Sequence, residues 1–177
     1  MISTKRTVLK SLSIDDAKDL FAYRSLLEVY KYQCWAPENI SDAEDFIRSY
    51  SINEGIIEGQ WKQFGIYSIK DKSLIGDCGF RIQSDDQTEI GYTIAPSYHR
   101  KGIGSEIVES LIVFLFNEML IQKIIAKTDP ENIASIKVLK RVGFRKEAHF
   151  VQNVKIRGEW KDDLVYAISR KEWIKIK

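Results

Sequence analysis

Residues 98–106, YHRKGIGSE, decide how this chain is read. Three residues that carry or can carry positive charge, His99, Arg100 and Lys101, stand directly before Gly102 and Gly104. Upstream, TEIGYTI (88–94) reads as a strand that Pro96 ends, because proline cannot donate to a sheet ladder. Downstream, Ile107, Val108, Leu111, Ile112, Leu115 and Met119 recur on one broad helical face, predicting a helix from Gly104 to about Met119. The segment is therefore a strand-to-helix turn. A helix start exposes unpaired N–H groups and a partial positive charge, and glycines let backbone approach a ligand. Neither the Walker A pattern nor the dinucleotide fingerprint fits, since position 107 is isoleucine where a third glycine is needed. From these residues alone, a pyrophosphate cradle and a plain glycine-containing helix start both stand.

Working outward, RTVLKSL (6–12) alternates as a first strand. Ser13 with Asp16, and then Ser41 with Glu44, have capping-box spacing and open two helices. QFGIYSIK and LIGDCGFRI form a hairpin around DKS, and TEIGYTI is the next strand of the meander. QKIIAKT is a short buried strand, and ENIASIKVLKRVGF is a helix ended by Gly143, with Lys137, Lys140 and Arg141 where its dipole favours cations. RKEAHFVQNVKI and KDDLVYAIS close the chain as a hairpin joined at RGEW. The order β-α-α-β-β-β-α-β-α-β-β excludes a fully parallel doubly wound sheet and predicts one α+β or mixed-sheet α/β domain over residues 1–177. A length of 177 residues supports one sizeable core. A net charge of +2 is too small for a nucleic-acid surface. No apolar run approaches the roughly 18 residues of a membrane span, and the first residues lack a signal-peptide core. Cys34 and Cys78 have neither disulfide-framework nor zinc spacing, which fits a cytoplasmic protein without a metal.

A second motif follows the buried strand: Asn132, Ser135, an apolar ridge, then Gly143-Phe144. With His99-Arg100-Lys101-Gly102-Ile103-Gly104 after YTIAP, this resembles the GNAT family of acetyl-CoA-dependent N-acetyltransferases, whose loop reads [Q/R]-x-x-G-x-[G/A]. RTVLKSLSIDDAKDLFAYRS, Trp35 with Pro37, EIGY, and GEWKDDLVYAISRKEW extend the likeness over the whole chain, towards the branch of ribosomal-protein N-terminal alanine acetyltransferases. His99 departs from the motif's preferred Gln or Arg.

The resemblance implies a GNAT fold: a mostly antiparallel mixed sheet of about seven strands flanked by about four helices, splayed between the fourth and fifth strands. Acetyl-CoA would lie in that gap. Backbone near Ile94 would pair with its pantetheine arm, the amides of Arg100, Lys101, Gly102, Ile103, Gly104 and Ser105 would hold pyrophosphate, and Asn132 would bind the arm. A neutral amine then attacks the thioester. The family's usual tyrosine acid, seven residues after the asparagine, is Leu139 here, so Ser135 is the expected donor to the leaving sulfur, against an ordinary helix-start role. Glu89 is the expected base, against a structural partnership with a cation; Asp77 and Glu147 are further carboxylates. His149 reads as structural. Tyr30, Tyr32, Trp35 and Tyr92 either wall the acceptor pocket or pack the core, while Trp61, Trp160 and Trp173 read as packing and the two cysteines as apolar fillers. Asp85-Asp86 and Lys161–Asp163 read as solvated turns. The expected acceptor is a protein N-terminus, with a small amine or a silent acyl-CoA-binding module as alternatives. A homodimer is a family-level expectation.

Overall fold

The computed structural model describes residues 1–52, 55–84 and 86–176. Eight strands form one sheet: β1 (Ile2–Ser3), β2 (Thr7–Lys10), β3 (Trp61–Ser68), β4 (Leu74–Ser84), β5 (Gln87–Ile94), β6 (Lys123–Thr128), β7 (Arg145–Ile156) and β8 (Glu159–Ser169). Their spatial order is β1-β2-β3-β4-β5-β6-β8-β7. Every neighbouring pair is antiparallel except β5 with β6. That parallel pair is the expected mixed feature, because only a crossover helix can bring β6 alongside β5 in the same direction. The helices are α1 (Ala17–Arg24), α2 (Leu27–Tyr30), α3 (Ile40–Tyr50), α4 (Ile103–Asn117), α5 (Ile133–Arg141) and α6 (Arg170–Ile176). The sheet exceeds the expected seven strands by the two-residue β1, and the helices exceed four by the one-turn α2 and the terminal α6. These elements are too short to leave a periodic signal.

Local rules explain most boundaries. The Ser13 amide and hydroxyl both donate to Asp16, fixing the turn into α1. The cap of α3 is Asn39, two residues before the expected Ser41: its Oδ1 accepts the Asp42 amide at 3.1 Å, and Asp42 accepts the Asn39 and Glu38 amides. Asn and Asp at this spacing satisfy the free amides as well as the Ser/Glu pair would. Helix α5 ends in a Schellman turn: Gly143 has φ +98°, its amide bonds the Lys140 carbonyl, and the Phe144 amide bonds the Leu139 carbonyl. The β7–β8 connection is the two-residue Arg157-Gly158, both with positive φ, as a twisted hairpin requires. Lys161, Asp162 and Asp163 thus lie within β8 and not in a solvated turn. Asp86 is exposed and its carbonyl receives the Gln122 and Lys123 amides; Asp85 lies outside the described residues.

The sheet has two covered faces. On one face Val108, Ile112 and Leu115 of α4 pack with Phe80, Ile90, Ile124 and Ile168, and Ile107 and Leu111 pack with Leu9, Ile66 and Ile75. Leu12, Leu20, Tyr23, Ala43 and Ile47 form the core under α1 and α3 on the other. Each such fully buried apolar side chain contributes about 1.5–3 kcal/mol. The β5–β6 ladder runs only from Gln87↔Lys123 to Ile90↔Ala126. β5 stays paired with β4 as far as Ile94, and β6 stays paired with β8 as far as Thr128. Two half-sheets therefore part after Ile90 and leave a V-shaped gap, which falls between the fifth and sixth strands because β1 adds one to the count.

Beside this gap lies Asp77, fully buried, which accepts from Tyr23 Oη (2.6 Å), Arg24 Nε (3.0 Å) and Gln63 Nε2 (2.6 Å) and ion-pairs with Arg24 Nη2. Asp77 is thus a structural carboxylate. Replacing Arg24 with methionine strands its charge and is expected to lower unfolding free energy by about 3–5 kcal/mol in urea denaturation; a loss below about 1 kcal/mol would show that Tyr23 and Gln63 suffice.

Candidate active site

The turn 98–106 folds as an anion-shaped loop. Arg100 has φ +59° and Gly102 has φ +76°, so two left-handed residues flank Lys101 ahead of α4, the kind of backbone turn that can present successive N–H groups to an anion. Gly102 is the N-cap of α4, and Ile103 and Ser105 lie in its first turn. Ile103 is buried with Leu9, Ile66 and Ile107, which anchors the start of the helix. A Cβ on Gly104 would meet Val138 Cγ2 of α5 at 3.4 Å, so this glycine serves helix packing. The loop's basic side chains are engaged elsewhere in part: Lys101 Nζ donates to the Ser97 carbonyl at 2.8 Å and lies 4.9 Å from the Tyr98 ring centre. Glu106 holds the loop from below. It accepts from Thr4 Oγ1 (2.5 Å), the Arg6 amide (2.9 Å) and Arg6 Nε (2.7 Å), while Arg6 Nη1 donates to the Lys101 carbonyl (2.7 Å). Burial would raise the Glu106 pKa, but these hydrogen bonds outweigh it and hold the pKa below the ordinary value.

The gap opens immediately beside this loop. The Ala95 amide bonds the Ile75 carbonyl of β4, so by strand alternation the N–H and C=O of Ile94 and Tyr92 point into the gap. His99 Nε2 lies 2.8 Å from the Ile94 carbonyl and donates to it, a role for this residue that the sequence did not suggest. Across the gap stands the N-terminus of α5. Asn132 caps it, its Oδ1 accepting the Ser135 amide at 3.2 Å. Ser135 Oγ is 3.0 Å from Tyr92 Oη. Burial, partly offset by this hydrogen bond, pushes the Tyr92 phenol up to about 12. Leu139, where the family's tyrosine would be, is wholly buried in the core.

On the acceptor side the gap widens into a cleft of about 870 Å³ that Tyr92, Asn132 and Ser135 also line. Tyr32, Trp35, Phe46, Tyr50 and Trp61 supply aromatic walls. Trp61, read from sequence as packing, lines the cleft beneath the Arg81 guanidinium (5.4 Å), whereas Tyr30 is covered by Arg157 (3.8 Å). Cys34 is an exposed residue of the cleft wall, while Cys78 is a buried filler. Glu89 lines the cleft, but its Oε2 accepts Arg81 Nη2 (2.7 Å) and Gln83 Nε2 (2.8 Å). Glu147 instead pairs with Lys123 at 2.8 Å. The structure also brings in Lys127 and Asp129, not singled out from the sequence, and Asp163, read there as part of a solvated turn. A bulge in β7 between Phe150 and Val154 turns Asn153 and Val154 into the cleft; Asp162 pins it by accepting the Gln152 amide (3.0 Å) and His149 Nε2 (2.7 Å). The alternation of β8 was the available signal for Asp163, since Asp163, Val165 and Ala167 share one face.

A positive-φ loop, a parted strand pair and a side-chain-capped helix facing it thus lie together on one edge of the sheet, and the chain can be compared with known proteins. The profile described as Acetyltransferase (GNAT) domain matches residues 6–145. The chain belongs to the GNAT family and is an N-acetyltransferase; this family uses acetyl-CoA as acetyl donor. It is 34% identical to the uncharacterized N-acetyltransferase p20 of Bacillus licheniformis, covering 96% of both chains. It is 29% identical to the ribosomal protein uS5 alanine N-acetyltransferase of Escherichia coli, over 69% of this chain and 64% of that one. An acetyltransferase of the GNAT family from Bacillus anthracis has the same fold at a TM-score of 0.87, with 27% identity and coverage of 97% and 99%. If the loop amides hold pyrophosphate, Gly102→Asp should weaken CoA binding about tenfold or more by calorimetry, because it places like charge at the ligand. Gly102→Asn, which also tolerates positive φ, should lose far less; equal losses would point to backbone strain and not charge.

Proposed function

We propose that this chain acetylates a primary amine by direct attack on acetyl-CoA, and that its acceptor is the α-amino group of a protein N-terminus. The observation that carries the transfer reaction is the parting of β5 from β6 after Ile90, which opens the sheet beside the cleft lined by Tyr92, Thr93, Asn132 and Ser135, one turn of chain before the loop at Gly102. The cosubstrate supplies an activated acetyl thioester. The amides from Arg100 to Ser105 hold its pyrophosphate, the N–H and C=O of Tyr92 and the N–H of Ile94 pair with the pantetheine arm as an added strand would, and Asn132 offers its amide Nδ2 to the same arm. Ser135 Oγ donates to the departing sulfur. Tyr92 stands behind it as a second hydroxyl, kept neutral by burial and so able to pass its proton to Ser135. Glu89, fixed by Arg81 and Gln83, places negative charge where the acceptor ammonium enters.

The uS5 alanine acetyltransferase likeness supports a protein N-terminus, and a cleft of about 870 Å³ has room for the first residues of a peptide. The acidic and aromatic lining by Glu89, Asp129, Asp163, Trp35 and Trp61 favours a second reading, a small cationic amine.

Acetyl-CoA at a hundredfold excess over its Kd should raise stability by about 2.7 kcal/mol, seen as a higher Tm; no shift at millimolar acetyl-CoA would sink the reading. Release of CoA thiol should be fastest with N-terminal peptides in a panel that includes polyamines and amino acids. Ser135→Ala should lower kcat about 10²-fold with acetyl-CoA affinity nearly kept; an unchanged kcat would remove Ser135 from the chemistry.

A further inference from the structure

We infer that Asp163 on β8 is the general base that takes the proton from the incoming amine; the inference rests on the acetyl-transfer reading above. Six carboxylates line the cleft, and five are committed. The Asp42 carboxylate accepts the Glu38 and Asn39 amides at the start of α3, and Asp45 is held by Arg48 at 3.3 Å. Glu89 is held by Arg81 and Gln83, Asp129 Oδ1 accepts the Glu131 amide at 2.7 Å, and Asp162 pins the β7 bulge. Asp163 is only 8% exposed, yet its carboxylate makes no hydrogen bond with any described residue. Its carboxylate therefore opens on the cleft, with the Lys127 ammonium as its nearby cation and no hydrogen bond to hold it in a structural role.

Its position suits that task. The β6–β8 register sets Lys127 opposite Val165 and Thr128 opposite Leu164, so Asp163 stands one step beyond, on the β6/β8 arm of the gap. Strand alternation puts Asp163, Val165 and Lys127 on one face, and the Glu89↔Ile125 pairing puts Glu89 on that face too. This is the face opposite Tyr92 and Ser135. An amine approaching from the cleft therefore meets Asp163 on one side of the gap while Ser135 attends the sulfur from the other. The ionisable groups facing Asp163 are Lys127 of β6, Glu89 of β5, and Asp129 and Cys34 from the adjoining loops. On β7 its ladder partner is the apolar Phe150, and the neighbouring His149 is tied to Asp162. Burial raises the Asp163 pKa, Lys127 lowers it, and Glu89 and Asp129 add to the rise, leaving it above the ordinary value. A carboxylate so raised is a better match to an ammonium donor than a solvated one.

The balance is as follows. The ammonium gives one proton to Asp163, its nitrogen then bonds the acetyl carbon as the C–S bond breaks, and the second nitrogen proton is lost. One proton ends on the thiol and one in solvent.

The test is Asp163→Asn on the full chain, with a peptide acceptor that the wild type acetylates. We expect kcat to fall about 10²-fold or more, with acetyl-CoA affinity kept. In the wild type, kcat/KM should fall as pH drops through the raised Asp163 pKa, because the base must be ionised. In Asp163→Asn that acid limb should vanish and the residual rate should follow ionisation of the amine alone. Should the asparagine variant fold poorly, Asp163→Ser serves for the same profile. Independently of turnover, the Asp163 carboxyl carbon of the unliganded protein should titrate by NMR above the ordinary aspartate value of about 3.9. An active variant with the wild-type acid limb, or a carboxyl titrating at or below the ordinary value, would overturn the assignment. A wild type that binds acetyl-CoA but acetylates no amine would overturn the transfer reading, and this assignment with it.

Discussion

The buried carboxylate of Asp77 is the constraint around which the acceptor side is arranged. A charge withdrawn from water must be paired and hydrogen-bonded, and here the donors come from α1 (Tyr23, Arg24) and β3 (Gln63). Arg24 carries the network on, donating to Gln33 Oε1, and Gln33 Nε2 donates to Thr93 Oγ1 at 2.9 Å. Thr93 lies on β5 beyond the point where β6 departs. One chain of polar contacts thus ties α1 and the segment after α2 to the β4 side of the gap. Trp35 adds to the same wall, stacked on Phe46 at 4.4 Å with the Arg24 guanidinium 5.5 Å from its ring. The wall cannot shift without leaving the Asp77 charge exposed to an apolar core.

The gap then divides the work by chemical type. On the α4 side the groups left unpaired are chiefly backbone: the positive-φ loop, the edge of β5 beyond Ile90 and the first turn of α4. Backbone donors do not depend on residue identity, which lets the first loop position be histidine. His99 even occupies the Ile94 carbonyl. On the acceptor side the work falls to side chains: Glu89, Lys127, Asp129, Asp163 and the aromatic walls.

Much of this was legible in the chain. Hydrophobic periodicity placed α4 and α5, alternation placed the β3–β5 meander, and YHRKGIGSE marked the turn between β5 and α4. Misreadings arose where two local signals competed or where partners lie far apart in sequence. Asn39 won over Ser41 because an earlier Asn/Asp pair closed the cap first. Lys161–Asp163 look like a turn, but the positive φ values of Arg157 and Gly158 put the turn earlier and draw the acidic pair into β8. Trp61 could be assigned only once Arg81 was seen above it.

The sequence by itself determined the order of the longer elements, the family motif and the strand-to-helix turn at 98–106, since each depends on residues within a turn or two of one another. Tertiary structure alone decided which carboxylates are free. Glu89 and Asp163 are both acids on strands, and no local pattern distinguishes them. Sheet register puts Arg81 beside Glu89 and leaves Asp163 lining the cleft with no hydrogen bond from any described residue. Commitment of a charge is a property of what lies across the strand, and that is fixed only when the sheet closes.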